Sequence, residues 1–257
     1  MDLLTNYILH QADNALILGH RNSEWTGHGP ILEQDIAISN IALDLIGQAR
    51  NFYQFAAYRL NELSPSEKIT EDDLAYLRDE HEFKNFVLVE QPNGDWANTI
   101  LRQFYFSSYQ LLLFRELSNS PYPELAAICE KSIKEIRYHV KWSSEWVIRL
   151  GDGTEESHGR MLNAMQNLNP WIAELFQPVD FDYEADETEA GILPEILKDE
   201  WYQRVNRILE TATLPTISSE KKSMQLLSGK KGVHSEYLEP LLAEMQVLQR
   251  TYPGSQW

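Results

Sequence analysis

Apolar residues recur along most of this chain at three-to-five residue steps, the spacing that turns one side of an α-helix toward a core. Leu3 to His20 reads as a first amphipathic helix, and the turn-rich Arg21 to Pro30 (RNSEWTGHGP) as its connection. Glu33 to Leu60 follows as a long helix with Ile36, Ile41, Leu45, Ala49, Phe52 and Ala56 in its apolar stripe. Leu63 to Ile69 is a loop, after which Thr70 and Asp73 make a capping-box-like start for a helix over Asp72 to Glu90. Gln91 to Asp95 (QPNGD) is a turn, with Asp95 the N-cap of Trp96 to Leu117. That helix is apolar nearly all round, as expected for one enclosed by others.

Ser118 to Pro123 breaks the chain before a helix that ends at Gly151-Asp152-Gly153. Thr154 caps a run to Phe176 with Met161, Met165, Leu168, Trp171, Ile172 and Leu175 inward, and Pro170 predicts a kink or break within it. Asp180 to Glu189 (DFDYEADETE) has six acids in ten residues and reads as an exposed, solvated connector, with a basic partner as the functional alternative. Leu193 to Thr211 is a helix with Pro194 in its first turn. Leu214 to Gly232 is irregular and locally basic, and His234 to Gln249 closes the chain as a helix before a tail ending at Trp257. There is no internal repeat and no alternating strand pattern. About seven or eight helices with short connections predict an all-α bundle in one domain over residues 1–257.

Composition narrows the function classes. A net charge of −17 opposes non-specific binding to nucleic acid or to an anionic membrane surface. Cys129 is the single cysteine, so no intrachain disulfide can form. Asp2 stands where a signal peptide would carry a basic residue, and no stretch approaches a membrane span, so a cytoplasmic location is expected. HExxH, GxSxG and GxGxxG are all missing, and Cys129 has no electropositive setting that would make it a nucleophile.

The remaining chemistry is a broken metal signature. Helical carboxylate-bridged di-iron sites set a Glu and a His three residues apart. Here Glu135 has Tyr138 at that spacing, and the histidine comes one residue later, at His139, still within reach of Glu135. A second near-motif, Asp79-Glu80-His81-Glu82-Phe83, puts Phe83 three residues after Glu80 and turns His81 away. Asp44, between Leu43 and Leu45, is a lone helical acid at the polar margin of its stripe. Such a centre takes four carboxylates and two histidines. Asp44, Glu80, Glu135 and the displaced His139 fall short of that, with Phe83 and Tyr138 where imidazoles would stand and no carboxylate from Trp96 to Arg115. These positions read as a vestigial site, and no metal is expected. Acids left facing one another need a cation, a proton or a hydrogen bond, for which His139, Arg102 and Arg137 are candidates.

Several long blocks carry a resemblance: SEWTGHGP (Ser23 to Pro30), ISNIALDLIGQARNF (Ile38 to Phe52), LVEQPNGDWANTI (Leu88 to Ile100), KSIKEIRYH (Lys131 to His139), GKKGVHSEYL (Gly229 to Leu238) and LAEMQVLQRTYPGSQW (Leu242 to Trp257). In register over essentially the whole chain, they resemble the C-subunit family of the bacterial ring-1,2-phenylacetyl-CoA epoxidases. The resemblance implies a ferritin-like helical protein of phenylacetate catabolism without metal or catalytic residues of its own. It implies a partner, the catalytic A subunit, that holds the di-iron centre, and an assembly as a homo-oligomer or heterotetramer that includes further epoxidase components. Two other readings stay open: an oxygenase using Asp44, Glu80, Glu135 and His139, and a ferritin-like protein that binds a CoA ester. In the GKKG stretch, Lys230 and Lys231 are candidate contacts to a phosphate or a partner.

Overall fold

The structure, a computed structural model, describes residues 2–66, 68–218 and 227–255. Among them are ten α-helices and no strand: α1 Leu3–Ser23, α2 Leu32–Leu63, α3 Glu71–Tyr76, α4 Val87–Glu90, α5 Trp96–Leu117, α6 Pro123–Gly151, α7 Glu155–Leu168, α8 Asp180–Glu187, α9 Lys198–Thr211 and α10 Leu238–Thr251. This is the expected all-α bundle. The predicted caps stand: Asp95 accepts from Asn98 N, and Thr154 from Ser157 N. Pro170 ends α7, and the chain continues as a 3-10 helix over Asn169–Phe176.

The frame is two long helical pairs, α1 along α2 and α5 along α6, joined where α2 meets α6, with α7 and α9 laid on α5. As its sequence predicts, α5 is buried on almost every side. One continuous apolar core runs from Leu4 on α1 to Leu242 on α10. Trp96 meets Trp25, Trp142 and Trp146 edge-on at 5.0, 5.9 and 6.0 Å, which binds together the end of α1, the start of α5 and the end of α6.

Leu193 to Thr211 opens with a 3-10 turn at Pro194–Leu197 before α9, and three further expected elements differ, each for a reason that lies far away in the chain. Asp72 to Glu90 is not one helix but α3, a single 3-10 turn at Glu80–Glu82, an extended stretch and α4. Lys84 N donates to Asp13 Oδ2 at 2.7 Å and Phe86 N to Asn14 Oδ1 at 2.8 Å, so α1 side chains replace the carbonyls a continuous helix would supply. The acidic run from Asp180 is α8, not a loop: Phe181 and Ala185 face inward, and Asp182 accepts from Val179 N at 2.8 Å. The last helix begins at Leu238 rather than His234 because Ser235 N donates to Glu90 Oε1 at 2.6 Å. Residues 219–226 of the irregular basic stretch and Trp257 lie outside the described residues.

Gly229 and Gly232 are placed by close approach. A Cβ on Gly229 would stand 1.9 Å from the Asn85 carbonyl oxygen, and one on Gly232, at φ +75°, 2.2 Å from that of His81. The segment from Ser228 to Ser235 is thereby pressed against residues 81 to 90, a contact on which the buried charges below depend.

Candidate functional site

The candidate ligands divide between two places. On facing sides of α2, α5 and α6, His139 Nε2 lies 3.0 Å from Asp44 Oδ2, Gln48 Nε2 donates to Glu135 Oε2 at 3.0 Å, and Gln110 Nε2 donates to Gln48 Oε1 at 3.1 Å. His139 is fully buried, while the Asp44 side chain keeps 34% of its exposure. Sequence reasoning puts His139 among the groups able to satisfy a leftover acid, and it does so for Asp44. Its Nδ1 is buried without a hydrogen-bond partner among the described residues.

The other candidates are elsewhere. Tyr138 points outward at 46% exposure, so it occupies no ligand position. Phe83 is buried beneath the Arg78 guanidinium at 4.2 Å, and Glu80 lines a surface cleft with His81, Gly232, Val233 and Glu239. Neither joins Asp44 and Glu135, because the 3-10 turn takes both away from the bundle seam. Arg102 is also spent elsewhere: its guanidinium donates to Gln91 O and, at 2.6 Å, to Asn93 Oδ1, and burial lowers it to about 9. Arg137 is exposed.

These residues do not fit a pair of iron ions. One oxygen of each acid is already committed to His139 or Gln48, Gln110 stands where α5 would have to bring a carboxylate, and the second histidine has no counterpart. Among the described residues no group of three or more His, Cys, Asp or Glu is placed to hold an ion. A surface cavity of about 790 Å³ opens between the start of α5, α7 and residues 234–237, and none of the six candidates lines it.

Residues 1–257 match the family model described as phenylacetic acid catabolic protein. The chain belongs to the phenylacetic acid catabolic protein family. It is similar to the C subunit of 1,2-phenylacetyl-CoA epoxidase from Escherichia coli (strain K12), with 44% identity over 257 residues and full coverage of both chains. No helix among the described residues is long and apolar enough to cross a membrane.

Within this family member the strongest polar chemistry is structural, and few signs of it stand in the sequence. Asp13 on α1 is buried between Arg78, Tyr53 and the Lys84 N–H: Tyr53 Oη donates to its Oδ1 at 2.6 Å, and Arg78 pairs with both oxygens. Glu90 accepts from Ser235 N, and its Oε2 is 3.0 Å from His234 Nδ1 and from Asn85 Nδ2. Burial opposes the charged His234 ring, but the Glu90 carboxylate outweighs it and raises the imidazole above its ordinary value. Glu174 spans two backbone donors, Val87 N and Gly229 N, each at 2.7 Å. Lys230, expected as a phosphate or partner contact, is instead buried, ion-paired with Asp182 and bonded to Gln177 O at 3.1 Å. Burial raises Asp182 and lowers Lys230 despite their pairing. Only Lys231 of the two remains exposed. A signal does exist: Asp13 and Asn14 interrupt the apolar run of α1, and GKKGVHSEYL holds a lysine and a histidine between glycines and a helix.

Proposed function

We propose that this chain is a non-catalytic, structural component of a 1,2-phenylacetyl-CoA epoxidase, which pairs with the di-iron catalytic A subunit and stabilises it. The observation that carries this reading is the closed seam of α2, α5 and α6, where Asp44, Glu135 and His139 are held by one another's neighbours and α5 offers Gln110 in place of an acid. The name and full-length similarity of the Escherichia coli protein support it.

A supporting role needs surface. On α2, Leu32, Ile36 and Leu43 are 72%, 52% and 66% exposed, which takes Ile36 out of the inward stripe its spacing predicts, and steps of four and seven residues return all three to one side of the helix. Three large apolar side chains in line on one helix make a surface that a partner helix can cover. The face of α2 that carries them is the one proposed to meet the catalytic subunit.

Co-expression with the catalytic subunit, followed by size-exclusion chromatography and iron analysis, tests both halves. The expected result is a stable complex whose iron tracks the catalytic subunit, with far less than one iron per chain when this protein is purified alone. Leu43→Lys, on exposed surface, is expected to leave the helical circular dichroism intact and to weaken pairing by at least about tenfold, through the buried apolar area lost and the lysine left unpaired. Stoichiometric iron in the isolated chain, or pairing unchanged in Leu32→Lys/Leu43→Lys, would overturn the reading.

A further inference from the structure

We propose that the groove between α6 and α9 docks the acidic α8 of a second copy of this chain. The floor of the groove is apolar, with Leu111 and Ile133, and its rim carries Arg115, Arg137, Arg204 and Arg207. Two carboxylates meet its four arginines: Glu200 is shared, with Arg115 reaching it at 2.9 and 2.8 Å and Arg204 at 2.9 Å, and Glu116 takes Arg115 Nε at 2.9 Å. Arg137 and Arg207 are exposed and enter none of the ion pairs among the described residues. On a chain with 39 acids and 22 lysines and arginines, this is a local reversal of sign.

The matching surface is on the same chain. Asp180, Asp186 and Glu187 of α8 and Glu189 just beyond it are exposed and take no ion-pair partner among the described residues. This helix cannot turn back onto its own groove, because it packs on α1 and is pinned by the buried Asp182 and Lys230 pair. Two copies, each with a net charge of −17, repel over most approaches and attract where this helix faces that groove, so charge selects the orientation as well as the partner. Each copy presents one groove and one helix, the requirement for a contact repeated between identical chains. The inference does not depend on the pairing with the catalytic subunit, which uses α2.

Sedimentation velocity on the isolated chain over a micromolar concentration range tests it, at about 0.15 M salt, where a Debye length of about 8 Å screens the overall like charge more than the groove contact, and at about 0.5 M. The expected result is self-association at the lower salt that falls away at the higher. Arg137→Glu/Arg207→Glu weakens it at least about tenfold. Adding Asp186→Arg/Glu187→Arg to the same chain restores it, since the signs are then exchanged on both surfaces. All four positions are exposed, and circular dichroism confirms that each variant is folded. Leu43→Lys leaves the association unchanged, which separates this contact from the apolar face of α2. A wild-type chain that stays monomeric, association that persists at high salt, or a fourfold exchange that fails to restore it overturns the proposal.

Discussion

Glu174 makes a buried acid's protonation visible in the stability of the whole chain. Its side chain is 1% exposed, and both of its oxygens accept backbone N–H groups. Those two bonds favour the carboxylate; burial, with the charge of Glu90 added, opposes it and wins, which pushes the group from 4.5 up to about 7. An acid raised in the folded state holds its proton there while the unfolded chain has released it. The stability it contributes is therefore complete below pH 4.5 and is lost as pH rises to about 7, by about 3 kcal/mol at ~1.4 kcal/mol per pH unit. Glu174→Gln removes this dependence, since the amide is neutral throughout. It also turns an NH₂ toward one of the two N–H donors, a fixed cost of about 1–3 kcal/mol. Urea unfolding at a series of pH values from about 4.5 to about 8, with equal m-values for both proteins, gives the difference directly. The wild type is expected to be the more stable at the acid end, and its advantage to shrink or reverse by the neutral end. Parallel curves across that window would refute the reasoning, because they would mean that two backbone donors outweigh burial and keep Glu174 ionised.

Asp13→Asn leaves the buried Arg78 guanidinium without its counter-charge and is expected to lower stability by about 3–5 kcal/mol, read as a fall in the urea midpoint at unchanged m-value. Lys230→Met removes the cation paired with Asp182, whose carboxyl burial already raises; the cost is expected to be small near pH 4 and to grow toward neutrality, as measured by thermal unfolding at both pH values.

What is legible in the sequence is what local chemistry decides. The span of α5 follows from Asp95 as its cap and from an apolar surface that no single face could hide. The end of α7 follows from Pro170, and the position of α6 from the Ser118 to Pro123 break before it and from its periodicity. The failures are of another kind. Residues 80 to 86 are pulled out of a helix by Asp13 and Asn14, about seventy positions earlier in the chain, which no window around Glu80 contains. Glu80 and Phe83 therefore lie off the seam, and the four-helix ligand set that groups them with Asp44 and Glu135 does not come together in space. The same distance hides α8: its acids look like a solvated run until Lys230, 48 residues on, is seen to take Asp182. By contrast, the Asp44 and His139 contact spans 95 residues and is still within reach of sequence reasoning, because an acid stranded on a helix stripe demands a partner and few are on offer.

The buried charges and the exposed stripe of α2 act on different terms of one equilibrium, which makes the proposed role open to a test that neither gives alone. Glu90, Glu174 and Asp182 fasten residues 229 to 235 inside the chain, and Asp13 fastens residues 78 to 84; none of these four is among the exposed residues of α2. A partner that binds only the folded chain stabilises it by an amount set by its concentration relative to Kd, about 2.7 kcal/mol at a hundredfold excess over Kd. The catalytic subunit should therefore recover much of the stability that Asp13→Asn removes, and should recover none of it when Leu32→Lys/Leu43→Lys is combined with Asp13→Asn. Thermal unfolding of this chain, followed by a label on its surface with and without the catalytic subunit, reads both. Equal recovery in the two backgrounds would place the contact on another face, and no recovery in either would mean that the partner does not bind the folded chain in preference to the unfolded one, which refutes the pairing.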